Sequence, residues 1–146
     1  MDTIRFKILA VDDDSDDRFL LDQAFIQIVY ESELKKFMDS DYLLSYLSKI
    51  EKSQYPSLIV LDNSLPKKSA AETLVQLKES PATKHIPVVI FSTLISPQKK
   101  KDLMALGALA CVAKGTAMSE LVEIAKAFKA IAEGNSSGNE LLQLAV

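Results

Sequence analysis

The chain has 146 residues, of which 48% are hydrophobic and 25% charged. These proportions are typical of a soluble globular domain and exclude a disordered or fibrous protein. The net charge of −3 lacks the positive excess that binding to a nucleic-acid backbone requires. Cys111 and His85 are each the single residue of their type, which excludes an internal disulfide, a Cys/His metal cluster and a nucleophile–His–acid triad.

The sequence also contains no pattern typical of membrane insertion or export. No stretch approaches the roughly 18 consecutive apolar residues of a membrane-spanning helix, and the N-terminus has no small-residue cleavage pattern. We therefore expect a cytoplasmic protein with no membrane or nucleic-acid partner.

Five short apolar runs predict β-strands. The first, third and fourth runs are continuous, as expected of strands that helices cover on both faces of a parallel sheet. The second run is more polar and suits an edge strand. The runs cover residues 7–11, 34–38, 57–61, 87–91 and 109–113.

Apolar residues spaced three and four apart predict a helix after each run. Ser15 and Ser40 are candidate N-caps of the first two helices, and Gly107 is placed to end the fourth. This strict (βα)5 alternation predicts a doubly wound α/β domain, a parallel five-stranded sheet with helices on both faces. We expect one domain over residues 1–133 and a flexible tail over residues 134–146.

Polar residues follow the strands at the points where the apolar runs stop. Asp12 and Asp13 follow the first run, Asp62 the third, Ser92 the fourth and Lys114 the fifth. Ligands of open α/β sheets bind beyond the carboxyl ends of the strands. With the strand order 2-1-3-4-5, the first and third strands are neighbours, so the three carboxylates should meet in one pocket flanked by the serine and the lysine.

Three clustered carboxylates repel one another and need a cation, and an all-oxygen site suits Mg²⁺. Beside that metal, Asp62 is placed to act as a nucleophile toward a phosphoryl group whose oxygens a lysine and a hydroxyl would bind. The acidic residues Asp14, Asp16 and Asp17 are expected to be solvated or to favour the start of the first helix.

In combination these residues resemble the receiver domain of bacterial two-component response regulators, from residue 6 to about residue 132. That family has a flavodoxin-like (βα)5 fold. The motifs are ILAVDDD with Asp12 and Asp13, LIVLDNSLP with Asp62 and Pro66, IPVVIFST with Ser92, and LGALACVAKG with Lys114.

The resemblance implies phosphorelay signalling rather than enzymatic turnover. A sensor histidine kinase or a phosphotransfer protein would transfer a phosphoryl group to Asp62 with Mg²⁺ as cofactor. Asp13 would bind the metal directly, Asp12 through water and Ser64 through its backbone carbonyl, together with Asp62. We expect a stand-alone regulator that signals to an unknown downstream protein by protein–protein contacts.

Five positions depart from the family pattern. Ser64, Ala70 and Thr93 bear on the lifetime of the phosphoryl group. Cys111 occupies the position of an aromatic switch residue and is expected to be a buried packing residue. Gly115 stands where a cis-proline is usual and is expected to follow a trans peptide bond, since a non-proline cis bond costs about 2.5–4 kcal/mol. Output should therefore be read from the loops near the acceptor and from a helix over residues 94–106.

Three alternatives remain open. A degenerate receiver would act only as a phosphorylation-independent binding module. A phosphatase of the haloacid-dehalogenase type would use Asp12 and Asp14 as a D-x-D pair, but it leaves Asp62 without a role. A flavodoxin-like nucleotide or flavin binder would need glycines in its phosphate-binding loops, and before residue 134 only Gly107 and Gly115 are present.

Overall fold

A computed structural model describes residues 7–28, 33–115 and 117–134. Within these residues, five strands alternate with five α-helices, and one turn of 3₁₀-helix (Lys52–Gln54) precedes the third strand. The strands are β1 (Ile8–Val11), β2 (Leu34–Phe37), β3 (Leu58–Leu61), β4 (Val88–Ser92) and β5 (Ala110–Ala113). The helices are α1 (Ser15–Gln27), α2 (Ser40–Lys49), α3 (Ala70–Glu79), α4 (Pro97–Ala105) and α5 (Met118–Ala132).

The strands form one parallel sheet in the order β2-β1-β3-β4-β5, which confirms the predicted topology. The strands β1, β3 and β4 are buried along their whole length, whereas every residue of the edge strand β2 is only half-buried. In the register of the two central strands, Val11 pairs with Leu61. The last residues of β1 and β3 therefore lie side by side, and so do the residues that follow them.

Helices cover both faces of the sheet, as the sequence predicted. On one face, α1 and α5 pack against the sheet, and the Phe91 and Phe128 rings meet edge to face with centroids 5.5 Å apart. On the other face, α2, α3 and α4 contribute Leu43, Leu74 and Leu103 to a second apolar layer. This layer also holds Cys111, whose residue is 3% exposed. The prediction that this cysteine is a buried packing residue is confirmed.

The predicted N-caps of the first two helices are each wrong by one residue. Ser15 and Ser40 are the first helical residues, and the caps are Asp14 and Asp39. The Asp14 carboxylate accepts hydrogen bonds from the amides of Asp16 and Asp17, and that of Asp39 accepts one from the Tyr42 amide. Aspartate caps a helix about as well as serine does, and its negative charge is also favoured at a helix N-terminus.

The fourth helix is shorter than the sequence analysis predicted. It begins at Pro97 rather than at Leu94, because Ser96 is its N-cap and Pro97 occupies the first helical turn. Leu94 lies in the preceding loop and is 85% exposed. Gly107 follows the helix with a φ of 110°, as expected for a glycine that ends a helix.

The proposed domain boundary at residue 133 stays a prediction, although α5 ends beside it, at Ala132. The proposed tail lies outside the described residues except for Gly134. In the part of the chain that the structure describes, no helix has the length and apolar character needed to cross a membrane.

Candidate functional site

The structure brings Asp12, Asp13 and Asp62 together at the carboxyl edge of the sheet. Asp12 directly follows β1 and Asp62 directly follows β3, and the Asp62 amide donates to the Val11 carbonyl at 3.0 Å. One carboxylate oxygen from each of the three aspartates lies within 4.8 Å of the others. Asp12 and Asp62 are buried, whereas Asp13 is exposed, so the pocket opens to solvent on the Asp13 side.

Local turns fix the two buried carboxylates in the same way. Oδ1 of Asp12 accepts a hydrogen bond from the Asp14 amide at 3.0 Å, and Oδ1 of Asp62 accepts one from the Ser64 amide at 3.1 Å. Aspartates commonly form such turns with the amide two residues ahead. In both residues the second oxygen, Oδ2, is left to face the pocket, where it meets Lys114.

Lys114 follows β5 and extends its ammonium group among three carboxylates. Its Nζ lies 2.6 Å from Oδ2 of Asp12, 2.9 Å from Oδ2 of Asp17 and 3.4 Å from Oδ2 of Asp62. The ammonium also stands 5.7 Å from the centroid of the Phe91 ring. These contacts give Lys114 a hydrogen-bond acceptor for each of its three N–H groups.

Burial and charge shift the pKa values of two groups in this site. Burial alone would lower the pKa of Lys114, but its hydrogen bonds with Asp12 and Asp17 and the charges of Asp12 and Asp62 outweigh burial and hold that pKa well above its ordinary value. Burial raises the pKa of Asp12, because the attraction of Lys114 offsets only part of the lost hydration. Lys114 therefore remains protonated across the physiological pH range.

Asp17 is a site residue that the sequence analysis missed. It was expected to be solvated or merely to favour the start of α1, yet its carboxylate binds Lys114. With Asp14 as the N-cap, Asp17 is the third residue of α1, and helical side chains lean back toward the N-terminus. That direction brings its carboxylate to the sheet edge. Asp16 is an exposed residue of the same turn, as expected.

Two further predicted residues lie at this edge of the sheet. Ser92 ends β4 and is buried, and its hydroxyl donates to the Leu94 carbonyl at 3.2 Å. The Lys114 amide donates to the Ser92 carbonyl at 2.9 Å, so the backbone holds these two residues side by side. Ser64, two residues after Asp62, is exposed, and the binding of a metal by its backbone carbonyl stays a prediction.

The structure shows the surroundings of three of the positions that depart from the family pattern. The peptide bond before Gly115 is trans, as expected. A Cβ atom at Gly115 would lie 2.6 Å from Cβ of Glu120, so this glutamate occupies the space that a side chain would need. Ala70 begins α3 and is fully buried, whereas Thr93 is exposed beyond the end of β4.

The phosphatase hypothesis pairs Asp12 with Asp14, but the Asp14 carboxylate has a capping role in the structure. Oδ1 of Asp14, the second residue of that pair, accepts the amide hydrogens of Asp16 and Asp17 as the N-cap of α1. Asp62 is instead the residue that joins Asp12 and Asp13 in the cluster.

Comparison with known proteins identifies the family. The model of the response regulator receiver domain matches residues 8–126. The chain belongs to this family, whose members are signalling modules of two-component phosphorelays.

Among curated relatives, the chain is similar to response regulator Rcp1 of a Synechocystis species, with 35% identity over 89 residues, 59% of this chain. It is also similar to the probable methanogenesis regulatory protein FilR2 of Methanothrix harundinacea, with 32% identity over 93 residues, 62% of this chain. The match spans 60% of the length of each relative.

Solved structures agree with this assignment. The phosphorylated cyanobacterial phytochrome response regulator RcpA has a TM-score of 0.80 and 28% identity, and the match covers 91% of this chain and 97% of that one. The Mn²⁺-bound form of response regulator Rcp1 has a TM-score of 0.74 and 25% identity, and the match covers 86% of this chain and 92% of that one. In this chain, Asp12, Asp13 and Asp62 form a candidate metal-binding group.

Proposed function

We propose that this receiver domain accepts a phosphoryl group on Asp62 and passes a signal on through protein–protein contacts. The observation that carries the proposal is the meeting of three carboxylates with one lysine ammonium at the carboxyl edge of the sheet. Asp62 is the acceptor because it directly follows the central strand β3, its Oδ1 is held by the Ser64 amide, and its Oδ2 faces Lys114.

The chemistry is attack of an Asp62 carboxylate oxygen on the phosphorus of a phosphohistidine, carried by a histidine kinase or a phosphotransfer protein. An O–P bond forms as the P–N bond breaks, and the electron pair of the broken bond stays on the donor's imidazole. Lys114 stays protonated throughout and places its positive charge beside the negative oxygens of the transferred group.

The proposed metal is Mg²⁺, held by Asp12, Asp13 and Asp62 and by the backbone carbonyl of Ser64. The hard oxygen donors fit this ion, and the exposed Asp13 leaves room for the waters that Mg²⁺ retains. When bound, the metal supplies positive charge that offsets repulsion between the carboxylates and the phosphoryl oxygens.

Ser92 is the proposed link between the acceptor and the rest of the domain. To bind a phosphoryl oxygen, its hydroxyl must leave the Leu94 carbonyl, which frees the loop that leads to α4. We therefore propose that a downstream protein reads this loop and α4. Amide exchange with and without beryllofluoride tests this: the segment from Thr93 to Ala105 should change, and changes confined to β5 and α5 would contradict it.

Phosphorylation itself is tested by measuring intact mass after incubation with acetyl phosphate and Mg²⁺. The parent chain should gain one phosphoryl group, and Asp62→Asn should gain none. Asp41→Asn, which alters an exposed aspartate in the first turn of α2, is the matched control and should react like the parent. Phosphorylation of the Asp62→Asn chain would refute the acceptor assignment.

The second candidate is a binding module that no longer accepts phosphate. The surroundings of Gly115 favour it, because Glu120 occupies the space that a side chain would need at this position, where the family usually has a proline. A parent chain that remains unmodified under the same conditions would support this alternative over the phosphorelay proposal.

A further inference from the structure

Among the three aspartates of the proposed metal site, Asp13 has the least constrained side chain. It is exposed, and its carboxylate forms no hydrogen bond or ion pair within the part of the chain that the structure describes. Asp12 and Asp62, by contrast, each accept a hydrogen bond from the amide two residues ahead and another from Lys114. The direction of the Asp13 side chain is therefore set by the backbone that carries it.

That backbone is fixed on both sides of Asp12. The Asp12 amide donates to the Phe37 carbonyl of β2 at 3.0 Å. The Asp12 carbonyl, which belongs to the peptide group that joins Asp12 to Asp13, accepts a hydrogen bond from Nη1 of Arg18 at 2.6 Å. Hydrogen bonds from a charged donor are shorter and stronger than those between neutral groups. Arg18 thus holds the peptide plane from which Asp13 projects.

Arg18 reaches this carbonyl because of its place in α1. It is the fourth residue of the helix, and helical side chains lean back toward the N-terminus, in this case toward the loop over residues 12–14. Arg18 is also half-buried, so its guanidinium is partly shielded from the water that would otherwise compete for the carbonyl.

We infer that Arg18 is a positioning residue of the metal site, which keeps the Asp13 carboxylate directed at the ion by holding the Asp12 carbonyl. This inference rests on the metal site of the proposed function. Groups that orient metal ligands without touching the metal commonly contribute about 10–100-fold to metal affinity. Because Arg18 acts through the backbone of one ligand, we expect a contribution of about tenfold, the lower end of that range.

The charge of Arg18 acts on Mg²⁺ in the opposite direction to its hydrogen bond. A positive group beside an acidic cluster repels a divalent cation, so removal of the charge alone would tighten Mg²⁺ binding. Removal of the hydrogen bond would weaken Mg²⁺ binding, because the Asp13 carboxylate would have to be ordered at the moment of binding. The sign of the change in the dissociation constant therefore separates the two effects.

The experiment is an NMR titration of the ¹⁵N,¹³C-labelled full chain with MgCl₂ at constant ionic strength, followed at the amides of the acidic cluster. Arg18→Met removes the guanidinium and should raise the dissociation constant for Mg²⁺ about tenfold. In the metal-free variant, the ¹³C signal of the Asp12 carbonyl should shift, because this carbonyl has lost its donor. Arg18→Gln, whose side chain is shorter and polar, should weaken binding equally and replaces the methionine variant if that chain does not fold.

Two variants are matched controls. Lys36→Met removes a positive charge that pairs with Asp22, one helical turn after Arg18. Ala24→Gly weakens α1 at a buried position away from the loop. Neither control should weaken Mg²⁺ binding, and urea unfolding of each chain checks that it is folded under the conditions of the titration.

Two results would overturn the inference. One is an Arg18→Met chain that binds Mg²⁺ as tightly as the parent or more tightly. The other is an equal loss of affinity in Ala24→Gly, which would mean that Arg18 acts only through the stability of α1. A parent chain that binds no Mg²⁺ would refute the proposed metal site, and this inference with it. Parent binding that Asp13→Ala abolishes and Arg18→Met leaves unchanged would refute this inference alone.

Discussion

Replacing Lys114 with methionine should destabilise the domain more than any substitution of an exposed lysine. Methionine keeps the length of the side chain but removes the ammonium that faces Asp12, Asp17 and Asp62. Removing one partner of a fully buried ion pair costs about 3–5 kcal/mol. Because Asp17 is partly exposed and the pocket opens beside Asp13, we expect a smaller loss of about 2–4 kcal/mol at neutral pH.

Urea unfolding measures this loss in the absence of Mg²⁺. For a chain of this size, it corresponds to a fall of roughly 5–15 °C in the melting temperature. Lys126→Met is the matched control, because Lys126 pairs with Glu123 on the exposed face of α5 and both side chains are more than half exposed. That control should change the free energy of unfolding by no more than about 0.5 kcal/mol.

The loss should also depend on pH and on Mg²⁺. The pKa of Asp12 is already raised in the folded chain, and removing Lys114 raises it further. A group whose pKa is raised by folding stabilises the protein when it is protonated and loses that effect as pH rises through its folded pKa. The deficit of the variant should therefore shrink as pH falls toward the pKa of Asp12.

Saturating Mg²⁺ should likewise stabilise the Lys114→Met chain more than the parent, because it then supplies positive charge in place of the missing ammonium. A Lys114→Met chain as stable as Lys126→Met, or a deficit that is independent of both pH and Mg²⁺, would refute the electrostatic account of this site.

Three further predictions follow from single contacts. Mg²⁺ should raise the melting temperature of the parent, and Asp13→Ala should remove most of that rise; an undiminished rise would contradict the role proposed for this carboxylate. Gly115→Ala should lower the free energy of unfolding, measured in urea, because its Cβ would lie 2.6 Å from Cβ of Glu120, and adding Glu120→Ala should recover part of the loss. Asp14→Ala should cost about 1 kcal/mol in the same assay by removing the N-cap of α1, whereas Ser15→Ala should change little.

The sequence was sufficient to predict the sheet and, to within one residue, the ends of its strands. Continuous apolar runs are bounded by polar residues because a strand covered on both faces admits few polar side chains, so β3, predicted at residues 57–61, is observed at Leu58–Leu61. With the strand order 2-1-3-4-5 expected for this doubly wound sheet, the neighbours of the strand ends follow as well. The meeting of Asp12 with Asp62 is therefore a property of the backbone, which a sequence pattern can predict.

The contact between Asp17 and Lys114 depends on a finer detail, the residue at which α1 begins. Asp14 and Ser15 are both good N-caps, and intrinsic preference does not separate them. A shift of one residue rotates every side chain of the helix by about 100° around its axis. Only the structure shows that Asp14 is the cap and that Asp17 consequently faces the sheet edge. By contrast, Ser96 and Pro97 did carry a sequence signal for the start of α4, which the expected start at Leu94 ignored.

Under the proposed function, the contacts of Lys114 and Ser92 in the unmodified chain link the charge at the acceptor to a conformational change. The Asp12 and Asp17 carboxylates accept hydrogen bonds from Lys114, and the Leu94 carbonyl accepts one from the Ser92 hydroxyl. Before modification, neither group is therefore fully available to bind a phosphoryl oxygen on Asp62. The Lys114 amide is bonded to the Ser92 carbonyl, so the two residues share one backbone frame. Because β4 and the first three residues of β5 are buried and protein interiors are close-packed, that frame cannot deform freely. When the Lys114 and Ser92 side chains move to bind a phosphoryl group on Asp62, the accompanying backbone change must therefore occur in the loop that follows β4, where Leu94 is exposed.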